Sequence, residues 1–148
     1  MLRNLKIVCK KINSSPRKLV LINQIHSNKF YFINKNYKFN KKKYKGDALI
    51  TNVKNIAIGV LTADCIPILI YDKNLKIISA VHAGWKGAYK GIINKVIKFF
   101  IKNGSKTEDL IVSIGPCISE KNYEVQKDFK DKFLKKDIQN KFFFKIRK

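Results

Sequence analysis

In three places of this 148-residue chain a thiol or an imidazole sits at the end of an apolar run, where it could bind a metal or act as a nucleophile or base. His26 closes the apolar run Leu19-Val-Leu-Ile-Asn-Gln-Ile-His26, Cys65 lies in Leu61-Thr-Ala-Asp-Cys-Ile-Pro67, and His82 lies in Ser79-Ala-Val-His-Ala-Gly-Trp-Lys-Gly87. The chain has only two histidines, and both occupy these places. One cysteine and two histidines form a ligand set suited to a zinc ion with a fourth position open to water or substrate. At 39 and 17 residues apart they are no local finger, so they must converge from separate element ends. Read from the residues alone, two satisfied polar histidines and a small buried cysteine are the favoured account of the pattern. A Cys65–His82 thiolate–imidazole pair with a carboxylate orienter is a third reading. It excludes the metal reading, because a ligating imidazole cannot also act as general base.

Two carboxylates accompany these residues. Metal-bound imidazoles usually donate their second nitrogen to an acceptor, and Asp47 or Asp64 could provide one. Asp64 directly precedes Cys65 and is expected to cap its turn, while Asp47, in Gly46-Asp-Ala48, is a candidate pocket residue. Lys86 follows His82 by four residues near the start of an expected helix, where amides and a cationic side chain can cradle an anion. Gly84 and Gly87 permit a tight strand-to-helix turn, and Trp85 is expected to pack a pocket wall. Cys117 reads as an inert thiol and Cys9 as a buried structural one.

The elements that must position these groups follow from apolar spacing. Leu2, Leu5, Val8, Cys9 and Ile12 mark an amphipathic helix over 2–13, stopped by Ser14-Ser-Pro16. Strands are expected at 18–26, 30–33 and 46–51. The runs 56–61 and 66–71 read as central strands buried on both faces, with 62–65 as the turn between them. A hairpin turn at 72–75 leads to a strand over 76–81. A helix over 86–102 is capped by Asn103-Gly104, a strand covers 110–114, and another helix follows Val125. Residues 34–45 read as a solvated connection, and 141–148 shows no stop signal. The expectation is one α/β-type domain over 1–148, a mixed sheet flanked by helices.

A hydrophobic fraction of 45% supports a packed core, although the net charge is +22. Lysine supplies nearly all of that charge; the arginines are Arg3, Arg17 and Arg147. Sequence-reading nucleic-acid proteins favour the arginine fork, so no specific nucleic acid is expected. With abundant Asn, Ile and Phe, the lysines fit AT-rich codon drift. No apolar stretch approaches the ~20 residues of a membrane span, and no signal peptide is indicated. Three cysteines are not a secreted disulfide framework, so the reducing cytoplasm is the expected compartment.

Gln24-Ile-His-Ser27, Gly46-Asp-Ala-Leu-Ile-Thr51, Leu61-Thr-Ala-Asp-Cys65, Val81-His-Ala-Gly-Trp-Lys-Gly87 and Ile114-Gly-Pro-Cys-Ile118 with Tyr123-Glu-Val125 also resemble, in order, the blocks of a known family. Its members are named variously polyphenol oxidase or laccase-domain proteins, peptidoglycan editing factor and purine nucleoside phosphorylase. The resemblance implies the laccase-domain fold, with His26, Cys65 and His82 as zinc ligands. It implies phosphorolysis of adenosine, inosine or methylthioadenosine, with adenosine deamination at the same site. Cys65, His82 and Asp47 are then the expected catalytic residues, and Lys86, Trp85 and Tyr123 the substrate- and phosphate-binding ones. Copper is the less favoured metal, because multicopper oxidation needs more histidines than two. The alternatives are a cysteine hydrolase editing peptidoglycan precursors and an inactive product of a split or decaying gene. The latter is expected because the chain resembles the family shortened at both ends. An oligomer or a complementing chain, and an uncovered sheet edge or apolar face, are expected with it.

Overall fold

The computed structural model describes residues 2–38 and 44–145. Part of the expected 34–45 connection and of the 141–148 ending therefore lies outside the described residues. The backbone groups into two compact units, Met1–Cys117 and Ile118–Lys148.

In the first unit, helix α1 (Leu2–Lys11) precedes strands β1 (Leu19–Leu21), β2 (Phe30–Ile33), β3 (Ala48–Thr51), β4 (Ala57–Gly59), β5 (Ile66–Asp72) and β6 (Ile78–Ala83). Helices α2 (Trp85–Tyr89) and α3 (Ile92–Lys102) and strand β7 (Leu110–Ile114) complete it. Five strands form a mixed sheet in the order β2-β3-β6-β5-β7, and β1 and β4 pair separately as a parallel ribbon. The β5–β6 hairpin turns where expected, with Asp72 Oδ1 accepting the Asn74 and Leu75 amides at 2.8 and 2.7 Å.

Two clusters cover the two faces of β3. Ala48 and Ile50 join Ile68, Ile70, Val81 and Ala83 against Ile92, Val96 and Phe100 of α3. Leu49 joins Val20, Ile22 and Ile33, beside Ile56, Ile58 and Val60 of the ribbon side. Spacing at i, i+4 and i+8 puts Ile92, Val96 and Phe100 on one helix face, all fully buried, each worth roughly 1.5–3 kcal/mol.

Several expected elements differ in form. The helix over 86–102 is two helices, because Gly91 takes a left-handed φ of 75° between them. Its far end is as expected: Gly104 is left-handed, and the Gly104 and Ser105 amides return to the Ile101 and Phe100 carbonyls at 3.0 and 3.1 Å. The strand expected to reach His26 stops at Leu21, since the amides of residues 25–27 turn to a side-chain carboxylate instead of a ladder. Residues 62–65 are no hairpin turn but a crossing from the ribbon to the main sheet. Nor is β5 buried on both faces: Ile68 and Ile70 are buried, while Leu69 is 55% exposed. On α1, Cys9 is buried but Val8 is about half exposed, as is Ile12 just beyond the helix.

Strand β7 pairs only with β5 among the described residues and exposes Ile111, Val112 and Ile114 by more than half. It is an open edge that is apolar on both faces. No helix among the described residues is long and apolar enough to cross a membrane.

The second unit is built on α4 (Lys127–Lys136), whose Phe129 and Phe133 rings lie 4.8 Å apart and meet Phe144. The Asp137 side chain caps the following 3-10 turn through the Gln139 amide at 2.9 Å.

Candidate metal centre

The register of β3 and β6 builds the centre. Ala48 pairs with Val81, so Asp47 and His82 are the next cross-strand pair and share the Leu49–Ala80 face. The His82 amide donates to the Asp47 carbonyl at 2.7 Å, and the two side chains meet with Nδ1 and Oδ1 2.9 Å apart. An ionised carboxylate only accepts, so Nδ1 carries the proton and, in the neutral ring, Nε2 offers the lone pair. Both residues are buried.

Asp47 also shapes the loop that presents His26. Its Oδ1 accepts the Ile25 and His26 amides at 3.2 and 2.9 Å, and its Oδ2 accepts the Ser27 amide and hydroxyl at 2.5 and 2.7 Å. Three successive amides converging on one carboxylate need a tightly curled backbone, and His26 accordingly has φ of 54°. Burial raises the Asp47 pKa, but the hydrogen bonds from Ser27, His82 and His26 outweigh it and hold the carboxyl below its ordinary value.

The imidazole of His26, thus turned, meets that of His82 edge-on with ring centroids 4.9 Å apart. Its Nε2 lies 3.8 Å from Cys65 Sγ. One ligand atom from each of His26, Cys65 and His82 falls within 4.8 Å of the others. Tetrahedral zinc with standard N and S bond lengths separates such atoms by about 3.3–3.6 Å, so the His26–Cys65 pair is already near that spacing and the widest pair would have to close by roughly 1 Å. Burial, then the charges of Asp64 and Asp47, raises the Cys65 thiol pKa; a bound cation would reverse that.

Gly84 keeps the centre clear. A Cβ there would lie 2.7 Å from His26 Cδ2 and 3.0 Å from Cys65 Sγ. A Cβ at Gly87 would lie 2.8 Å from the Ser27 carbonyl oxygen, so α2 packs directly on the His26 loop.

The remaining candidates are placed as follows. Lys86 is exposed on α2, with Nζ 5.6 Å from the Trp85 ring centroid, and Trp85 is half-buried. Asp64 and Cys117 are exposed. Tyr123 lies in the second unit, 6.1 Å edge-to-face from Phe129. Two residues escaped the sequence reading. Ser27 locks Asp47, and the Gln24 carboxamide makes two hydrogen bonds to the backbone of Leu61, both 2.7 Å. The only signal for either was membership of the Gln24-Ile-His-Ser27 block.

A family model described as multi-copper polyphenol oxidoreductase laccase matches residues 1–148. A purine nucleoside phosphorylase of Rickettsia conorii is 38% identical over 126 residues, covering 85% of this chain and 50% of that protein. One from Aquifex aeolicus is 44% identical over 102 residues, 68% of this chain and 48% of that protein. The crystal structure of the Bacillus licheniformis hypothetical protein YfiH superposes with a TM-score of 0.86 at 26% identity, over 98% of this chain and 58% of that one. The chain thus spans about half the length of the curated relatives it matches.

Proposed function

The chain belongs to the multi-copper polyphenol oxidoreductase laccase family, and from that footing we propose that it is a zinc-dependent purine nucleoside phosphorylase. Its substrates are adenosine, inosine or methylthioadenosine with phosphate, and it also deaminates adenosine. One observation carries the reading: the ligand atoms of His26, Cys65 and His82 lie within 4.8 Å of one another, with Asp47 orienting His82. The name shared by the Rickettsia and Aquifex relatives supports the substrate class.

Two imidazoles and a thiolate suit zinc, and two histidines are too few for a multicopper centre. Zinc held there supplies Lewis-acid chemistry, polarising an oxygen of water or substrate. The chain's own groups do the rest. Asp47 keeps Nδ1 of His82 protonated and its ring fixed. Lys86 draws phosphate, and Trp85 offers a flat apolar face to the nucleoside. In phosphorolysis a phosphate oxygen bonds to ribose C1′ as the C1′–N bond to the purine breaks. The compartment that keeps Cys65 a free thiol is the reducing cytoplasm.

A cysteine hydrolase needs its nucleophile, base and orienting carboxylate in one line. Here the imidazole nitrogen 3.8 Å from Cys65 belongs to His26, while the ring that the Asp47 carboxylate grips is that of His82. That division favours metal ligation.

The deciding experiment measures base release from adenosine by the purified chain with and without phosphate. Release should require phosphate, vanish on chelation, return with zinc, and be lost in Cys65→Ala. Activity that survives chelation but is blocked by thiol alkylation would sink the zinc reading in favour of the cysteine hydrolase.

A further inference from the structure

We propose that Gln24 is a positioning residue of the metal centre: its side chain sets the separation of His26 and Cys65 by clamping the strand that delivers one to the strand that delivers the other. The inference rests on the reading of those residues as metal ligands.

Strands β1 and β4 run parallel, with Leu19, Val20 and Leu21 opposite Ala57, Ile58 and Gly59. This ladder ends at Leu21 and Gly59, before either ligand. Beyond that point the chain from β1 departs to the curled His26 turn, and the chain from β4 crosses to the main sheet. Gln24 spans the gap. Its Nε2 donates to the Leu61 carbonyl and its Oε1 accepts the Leu61 amide, each at 2.7 Å. A carboxamide presents the same donor and acceptor as a peptide group, so the side chain acts as one more rung of the ladder.

The rung is placed at the branch point. His26 follows Gln24 by two residues and Cys65 follows Leu61 by four. Asp47 fixes His26 and His82 through its own hydrogen bonds. Cys65 receives no such bond from Asp47, and residues 61–64 are exposed. The Gln24–Leu61 pair is what ties the cysteine's approach segment to the His26 loop. Both bonds engage both polar groups of one residue, so a shorter or apolar side chain forfeits the pair together.

The test compares the 148-residue chain with its Gln24→Ala and isosteric Gln24→Glu variants, the latter keeping an acceptor for the Leu61 amide but offering the Leu61 carbonyl no amide donor. Zinc affinity is measured by chelator competition and ligand geometry by the cobalt-substituted thiolate absorption band. Two metal-free readouts are taken alongside: hydrogen exchange at the Leu61 amide, and the alkylation rate of Cys65 followed by peptide mass spectrometry. Gln24→Ala should bind zinc about 10- to 100-fold more weakly, the range for removing a partner that orients a ligand, with a shifted cobalt band. Leu61 exchange and Cys65 alkylation should quicken, and Gln24→Glu should fall between. A purely structural role would lower the melting temperature of the metal-free protein and leave the cobalt band unchanged, and that result overturns the proposal. So does wild-type affinity in Gln24→Ala. If the wild-type chain takes up no zinc, the metal reading itself fails. Unchanged Leu61 exchange and Cys65 alkylation in Gln24→Ala would then refute the clamp separately.

Discussion

Asp47 and His82 face each other across β3 and β6, joined both by a backbone hydrogen bond of 2.7 Å and by a carboxylate–imidazole contact of 2.9 Å. The same carboxylate gathers the amides of Ile25, His26 and Ser27. One buried side chain therefore orients one candidate ligand directly and the other through its backbone.

Replacing that side chain should damage the centre and the fold together. Asp47→Asn keeps the size but removes the charge and one acceptor oxygen. It should weaken zinc binding by about 10- to 100-fold. It should also lower stability by about 2–4 kcal/mol, because buried donors lose a charged acceptor. Chelator competition and urea denaturation measure the two effects.

Gly84→Ala tests the crowding at the centre. The added methyl would sit 2.7 Å from His26 and 3.0 Å from Cys65. Zinc affinity should drop at least about tenfold, comparable with loss of a supporting group. Gly104→Ala serves as the comparison: with φ of 96° it should cost about 1 kcal/mol or more of stability and leave zinc affinity intact. Equal affinity losses in the two variants would mean that the effect is general destabilisation.

Acid should loosen the centre in a defined window. The folded Asp47 carboxyl sits below its ordinary value, so its contribution is fully present above the unfolded value of about 3.9 and is lost as pH falls through the lower folded value. Asp47→Asn should flatten the acid limb of a stability–pH profile. Zinc affinity should respond higher up. The Cys65 thiol pKa is raised, so the thiol is protonated near neutrality and must shed a proton to bind. Affinity should then climb about tenfold per pH unit through that range. A flat dependence would mean that the thiol is not a ligand.

The α3 seam should dominate stability without touching the metal. Phe100 is fully buried against the sheet, and Phe100→Ala should cost about 3–5 kcal/mol in denaturant melts.

The open β7 edge should make the chain associate. Ile111 and Ile114 are 56% and 67% exposed beside unpaired backbone, an arrangement that invites strand pairing and apolar contact. Ile111→Lys and Ile114→Lys should reduce concentration-dependent association measured by sedimentation. A monodisperse wild-type monomer would contradict this.

Residue type and apolar spacing marked His26, Cys65 and His82 as candidates, the family blocks made them a ligand set, and spacing located the strands, the hairpin at 72–75 and the glycine-capped end of α3. Those features are local: a period-2 or period-3.6 pattern and a turn residue each act within a few positions. Which strands pair, and in what register, is not local. The runs at 56–61 and 66–71 read alike, yet β4 joins β1 in the ribbon and β5 lies between β6 and β7 in the main sheet. The β3–β6 register made Asp47 the partner of His82, where composition alone left Asp47 and Asp64 as rivals. The β1–β4 register brought Gln24 to Leu61, 37 residues away. Such contacts depend on hydrogen bonds between segments that have no sequence relation, so only the assembled sheets decided them.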